Sequence, residues 1–109
     1  MQALRNYDLA FNALGDPTRR AVFKKLEKGP LSVVHIAEGL PVSRPAVSQH
    51  LKILCEAKLI SMEQKGTRNI YRIEYEGVRA MRDFLDHFWE DALHNFKKLA
   101  EETEKRKNK

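Results

Sequence analysis

Cysteine occurs once in the 109 residues, as Cys55. A lone thiol excludes an intramolecular disulfide and fits a reducing compartment. No apolar run approaches the roughly 20 residues that a membrane-spanning helix needs. The first residues lack the apolar stretch of a signal peptide. The expectation is a soluble, cytoplasmic protein with no membrane partner. Glycine-rich phosphate loops, a nucleophile elbow and a paired-carboxylate cleft are also missing, and so short a chain has little room for them. That argues against an enzyme, and no cofactor is expected. Internal repeats and low-complexity tracts are absent.

Hydrophobic residues make up 42% of the chain and charged residues 32%, a balance that supports a compact core. The length suggests one domain, and burial against a second copy would help a chain this small. The formal net charge is +5 and the pI about 9.5, which points to an anionic partner. The charge is unevenly placed. Residues 41–72 hold six basic side chains (Arg44, Lys52, Lys58, Lys65, Arg68, Arg72) and two acidic ones, a net of +4. Residues 76–104 hold eight acids and four bases, a net of −4. One segment is suited to phosphate and the other is not.

Apolar periodicity places the elements. Leu4, Tyr7, Ala10, Phe11 and Leu14 recur at helical spacing over 4–14, and Gly15 ends that helix. Asp16 caps a second helix with Pro17 at its first position; Ala21, Val22 and Leu26 form the apolar face, and Gly29-Pro30 stops it. A short third helix is expected from Ser32, as cap, to Glu38, with Val33, Ile36 and Ala37 inward and Gly39 closing it. Ser43 caps a fourth helix to about Ala57, with Val47, Leu51 and Leu54 as its buried stripe. Two alternating runs, 60–65 and 68–73, flank Gly66-Thr67 and predict a β-hairpin. The last helix, about 77–103, carries a wide apolar stripe from Val78 to Ala100. One small domain does not easily cover so much apolar helix, so a second copy is the simplest partner.

Two short helices on a tight turn, then a basic hairpin, describe a winged helix-turn-helix. The expected fold is mainly α with a small β-hairpin, in the order α-α-α-α-β-β-α. Residues 1–104 form a single domain with N- and C-terminal dimerisation helices, and 105–109 a basic flexible tail. The major groove of double-stranded DNA admits one helix presenting short polar side chains near its start. Ser43, Arg44, Ala46, Ser48, Gln49 and His50 are arranged that way, with Lys52 on the same outer side. Arg44 suits guanine O6 and N7, Gln49 suits adenine N6 and N7, and Ala46 permits close approach. Ser48 can bond a base edge or a phosphate. Free N–H groups at the helix start add attraction for phosphate. Lys65, Thr67 and Arg68 sit at the hairpin tip, within reach of phosphate or the minor groove, and Thr18, Arg19 and Arg20 open the second helix, placed for backbone contacts; such phosphate contacts position without reading sequence. His50 has two readings, a phosphate contact or an internal brace.

The run "FNALGDPTRRAVFKKLEKGPLSVVHIAEGLPVSRPAVSQHLKILCEAKLI" from Phe11 to Ile60 resembles the ArsR/SmtB family of repressors. The matching pieces are "LGDPTRR", "VSRPAVSQHLKIL" and "AKLI", followed by the wing "KGTRNIYRI"; with the last helix the resemblance covers about residues 4–100. It implies a homodimer held by the first and last helices, bound to an inverted-repeat operator, with repression relieved by a signal. The dimer interface is expected from Leu4, Tyr7, Phe11, Phe84, Leu85, Phe88, Trp89, Ala92, Phe96 and Leu99.

The family resemblance also implies metal sites. One uses thiolates on the third helix, but here Ser32 and Val34 stand in their places, and soft metals need thiolate. The other uses Asp, His and Glu on the last helix. Asp83–His87, His87–Asp91 and Glu90–His94 lie at i, i+4, which can chelate, but neither family pair is present as written. No metal is assigned; His87, Asp91 and His94 are the weak candidates. Cys55 and His35 read as packing and surface residues. The alternatives are a winged-helix protein-interaction module without operator specificity and a zinc-responsive repressor using the last helix. Effector, operator sequence and the choice between repression and activation are not legible.

Overall fold

A computed structural model describes residues 5–107. Five helices and three strands follow in the order α1 (Asn6–Leu14), α2 (Pro17–Lys25), β1 (Leu31–Ser32), α3 (Val33–Ala37), α4 (Arg44–Glu56), β2 (Ile60–Lys65), β3 (Arg68–Ile73) and α5 (Tyr75–Lys107). A single 3₁₀ turn, Leu26–Lys28, carries α2 to Gly29.

Local chemistry sets the helix ends. Asp16 accepts hydrogen bonds from the N–H groups of Thr18 at 2.8 Å and Arg19 at 3.0 Å, so α2 starts on a satisfied cap. Ser43 Oγ accepts from the Ala46 N–H at 3.3 Å and does the same for α4. Helix α4 closes without a glycine. Lys58 takes a left-handed φ of 62°, its N–H donates to the Cys55 carbonyl, and the Leu59 N–H reaches back to Leu54. This is the Schellman arrangement, sealed by contact between the fully buried Leu54 and Leu59.

The core lies between α4 and its neighbours. Val47, Leu51 and Leu54 pack with Val22 and Leu26 from α2, Ile36 from α3, Ala10 and Ala13 from α1, and Leu59 and Ile60 at the start of β2. The α4 stripe is therefore as the periodicity predicts. On α3, Val33, Ile36 and Ala37 face inward as expected.

Several local expectations need correction. The sheet has three strands in the order β1-β3-β2, because Leu31 and Ser32 pair antiparallel with Tyr71 and Ile70. Two residues are too short a run to show alternation, so the pattern of the sequence did not reveal β1. Ser32 consequently ends a strand and gives α3 no side-chain cap; its hydroxyl bonds His35 instead. Helix α3 stops at Ala37, one residue before Glu38. Ala21 is exposed, and Phe23 takes the core-facing place assigned to it. The last helix starts at Tyr75 and runs to Lys107, so residues 105–107 are helical where a tail was expected. Leu4 lies outside the described residues, as do Asn108 and Lys109.

The expected hairpin forms, with Lys65 opposite Arg68 across a two-residue turn. Gly66 occupies the first central position with φ 62°, where a II′-type hairpin turn places glycine. Helix α1 packs along α5, and a chain of rings joins them: Tyr7 stacks on Phe84 at 4.7 Å, and Phe11 meets Phe84 edge-on at 5.6 Å.

Candidate nucleic-acid interface

Helix α4 turns its buried stripe into the core, which leaves Ser43, Arg44, Ser48, Gln49 and Lys52 exposed on the opposite side and Ala46 half-buried between them. Arg44, Ser48, Gln49 and Lys52 lie on the outer side of the helix that the periodicity left to them. The helix start offers fewer amide donors than expected. Pro45 has no N–H and the Ala46 N–H is given to Ser43, so Arg44 alone among the first three positions has its amide uncommitted. Any attraction for phosphate at this end would have to come from side chains.

His50 points partly inward. Its Nδ1 is enclosed and has no hydrogen-bond partner, so any DNA contact must go through Nε2. The ring also lies near enough to Asp16 to influence that carboxyl. The Arg19 N–H holds the Asp16 carboxyl below the usual carboxylate range; the Thr18 N–H and the charges of Arg19 and His50 act in the same direction, while burial opposes them.

Arg19 and Arg20 have work inside the chain. Arg19 donates through Nε to the Ala13 carbonyl at 2.7 Å and through Nη2 to Asn12 at 3.4 Å; Arg20 donates through Nη1 to Leu14 at 2.7 Å. Both guanidinium groups thus cap the C-terminal carbonyls of α1, where a cation also suits the helix dipole. Thr18 is half-buried beside them. Lys25 similarly donates to the Glu38 carbonyl in the turn between α3 and α4. That contact links α2 to the turn, and no local pattern in the sequence foretells it.

In the wing, Arg72 pairs with Glu63 across β2 and β3, a diagonal cross-strand pair. The positive charge left at the exposed tip is that of Lys65 and Arg68, with Thr67 between them.

The thiolate metal site implied by the family resemblance does not fit the residues present. Ser32 and Val34 supply no thiolate, and among the described residues no group of three His, Cys, Asp or Glu side chains converges. His87 Nδ1–H donates to the Asp83 carbonyl at 2.8 Å. That bond, followed by the nearby Glu90 charge, pushes the imidazole up from its ordinary value. Burial pushes the Cys55 thiol up, with Glu56 adding to it, the opposite of the activation that a reactive cysteine requires.

The geometry can be set beside known proteins. The helix-turn-helix domain family matches residues 14–63. The HTH-type transcriptional regulator Rv2034 of Mycobacterium tuberculosis is 46% identical over 101 residues, covering 93% of this chain and 94% of that protein. The arsenical resistance operon repressor of Bacillus subtilis is 36% identical over 81 residues, 73% of this chain and 77% of that one. A crystal structure of an ArsR family transcriptional regulator superposes with a TM-score of 0.74 at 30% identity, covering 79% of this chain and 94% of that chain. The chain belongs to the ArsR/SmtB family of helix-turn-helix transcriptional regulators. It is a DNA-binding regulator and not an enzyme. No described helix of this regulator is long and apolar enough to cross a membrane.

Proposed function

We propose that this regulator is a cytoplasmic homodimeric repressor that binds an inverted-repeat operator. The observation that carries the reading is the pairing of two surfaces. The outer face of α4 and the wing tip are polar and basic, while the far side of α5 is apolar and uncovered. Phe88, Trp89, Leu93, Phe96 and Leu99 are between 54% and 72% exposed on one helix. Monomeric proteins rarely leave so long an apolar stripe in water. A second copy related by a two-fold axis covers the stripe with its own, and the same axis sets two recognition helices on two symmetric half-sites.

In this reading Arg44 and Gln49 address base edges, with Ser43, Ala46 and Ser48 allowing close approach. Lys52, Lys65, Thr67 and Arg68 address phosphate, as does His50 through Nε2. Thr18, Arg19 and Arg20 contribute position through α2, the arginines mainly by fixing α1 against it. Leu85, Phe88, Trp89, Ala92, Phe96 and Leu99 meet the partner. Tyr7, Phe11 and Phe84 support that face from within the chain. Curated relatives include repressors by name, which supports repression over activation.

The test is a titration of the chain against its own upstream DNA at several salt concentrations, with and without zinc. The reading expects tight binding to an inverted repeat that weakens steeply with salt and ignores zinc. Salt-insensitive binding, or no preference for a repeat over random duplex, overturns it in favour of an interaction module. Release by zinc would return the last helix to a sensing role.

A further inference from the structure

A notch of about 430 Å³ separates α3 from the tip of the wing; of its lining only Thr67 and Arg68 have a contact assigned in the operator reading, and the α3 side has none. Strand β1 creates it. Ser32 pairs with Ile70 on β3, so the chain enters α3 directly beside Arg68 and Asn69. Ser32 and His35 line one side, Thr67, Arg68 and Asn69 the other, and two valines complete the wall.

The lining contains no carboxylate. A cation finds no counter-charge there. What the notch offers is donors. Among the described residues Arg68 has no carboxylate partner, unlike Arg72. The Asn69 amide and the Thr67 hydroxyl add neutral donors. Ser32 Oγ and His35 Nδ1 lie 3.0 Å apart. If the hydroxyl donates to Nδ1, the ring carries its proton on Nε2. If Nδ1–H donates to Oγ, the hydroxyl proton is free. Either tautomer leaves the pair one uncommitted donor. A guanidinium fork flanked by neutral donors is the chemistry that recognises an oxyanion.

We propose that this notch is an oxyanion seat that holds one backbone phosphate of the bound duplex in each half-site. Arg68 supplies the charge; the Ser32–His35 pair and Asn69 supply direction. The proposal rests on the operator reading above and extends it. It adds α3 to a contact surface otherwise drawn from α4, α2 and the wing, and it clamps the wing to the body through the DNA. A free phosphate ion has the same chemistry, and the test separates the two sources.

The experiment measures binding of the full chain to its operator and to a random duplex, using Ser32→Ala, His35→Ala and Asn69→Ala. Each variant should lose about tenfold or more on both duplexes, because a hydrogen bond to a charged group is removed without touching base readout. A scan then replaces each backbone phosphate in turn by a neutral methylphosphonate. One position per half-site should weaken the wild type yet weaken His35→Ala and Ser32→Ala far less, the non-additivity expected of a shared contact. Inorganic phosphate should compete no better than chloride at equal ionic strength. Unchanged affinity of the variants, or a scan with no position coupled to His35 and Ser32, overturns the proposal. Competition by millimolar phosphate that vanishes in His35→Ala, with no coupled position in the scan, assigns the seat to a free anion and overturns its assignment to DNA. Failure of the wild type to bind any duplex is a separate result and sinks the operator reading itself.

Discussion

Gly77→Ala reverses the ordinary effect of a glycine-to-alanine change in a helix. At an exposed helical position the substitution stabilises by about 1 kcal/mol. Gly77 is buried in the first turn of α5, and its N–H donates to the Lys58 carbonyl at 2.9 Å. A Cβ there would lie 2.5 Å from the Ala57 carbonyl oxygen and 2.8 Å from that of Lys58. Both obstacles are backbone, held by the Schellman closure of α4, so no side chain can swing aside. Overpacking of this kind costs about 1–3 kcal/mol, and a displaced amide loses a hydrogen bond worth about 1 kcal/mol. After crediting the gain in helix propensity, the net is a loss of roughly 1–3 kcal/mol. Urea unfolding followed by circular dichroism, at one fixed protein concentration because any dimer couples stability to concentration, reads it directly. A domain of this size should also melt roughly 10 °C lower. A variant as stable as the wild type, or more so, would show that α5 does not start on the end of the recognition helix.

Three further expectations test other joints. Lys58→Gly should stabilise by about 0.5–1 kcal/mol, because Lys58 holds a left-handed φ of 62° that costs a non-glycine residue about 1–2 kcal/mol; a urea midpoint that falls would contradict the closure described. The Asp16 carboxyl is lowered in the folded state, so its contribution is present above the ordinary carboxylate range and disappears as pH falls through the folded value. Asp16→Asn should therefore flatten the acid limb of a stability–pH profile while changing its neutral region little in shape, and an unaltered acid limb refutes the cap. Arg44→Ala and Gln49→Ala should each cost about 1–3 kcal/mol of operator affinity and relax one base position, whereas Lys65→Ala should weaken all duplexes alike and reduce the salt slope by about 1; equal losses on operator and random DNA for Arg44→Ala would remove it from base readout.

The features legible in the sequence were those written in short-range pattern. The α4 stripe of Val47, Leu51 and Leu54, the Asp16 and Ser43 caps and the Gly66 turn each depend on residues within one or two turns of each other. What escaped depends on contacts made at a distance. β1 exists because Leu31 and Ser32 meet Tyr71 and Ile70 across about 40 residues, and no two-residue run announces that. Arg19 and Arg20 read as phosphate ligands because charge is visible and geometry is not; the open carbonyls of α1 claim them first. Arg72 was counted with the basic segment, yet the diagonal to Glu63 neutralises it. The loss of amide donors at the start of α4 was readable from Pro45 alone, since proline brings no N–H.

The dimer itself is tested by Phe88→Glu, and the structure says why this variant is informative. Phe88 is 54% exposed and lies outside the core, so the charge does not disturb the packing of α4 against α2 and α3. In the proposed dimer the same carboxylate enters an apolar seam opposite its symmetry mate, where an unpaired charge is costly. Sedimentation should therefore report a folded monomer. Each monomer keeps its recognition face and wing tip, so binding to random duplex should change little per chain. Operator affinity should fall by about 10²–10⁴, because two half-sites no longer act through one linked body. The seating of Gly77 on the end of α4 is what makes this loss specific. In the proposed dimer it would tie the helix that meets the partner to the helix that meets DNA, so a two-fold axis would set the half-site spacing near one helical turn, about 34–36 Å. A monomeric Phe88→Glu that still prefers the inverted repeat by the wild-type ratio would sever that link.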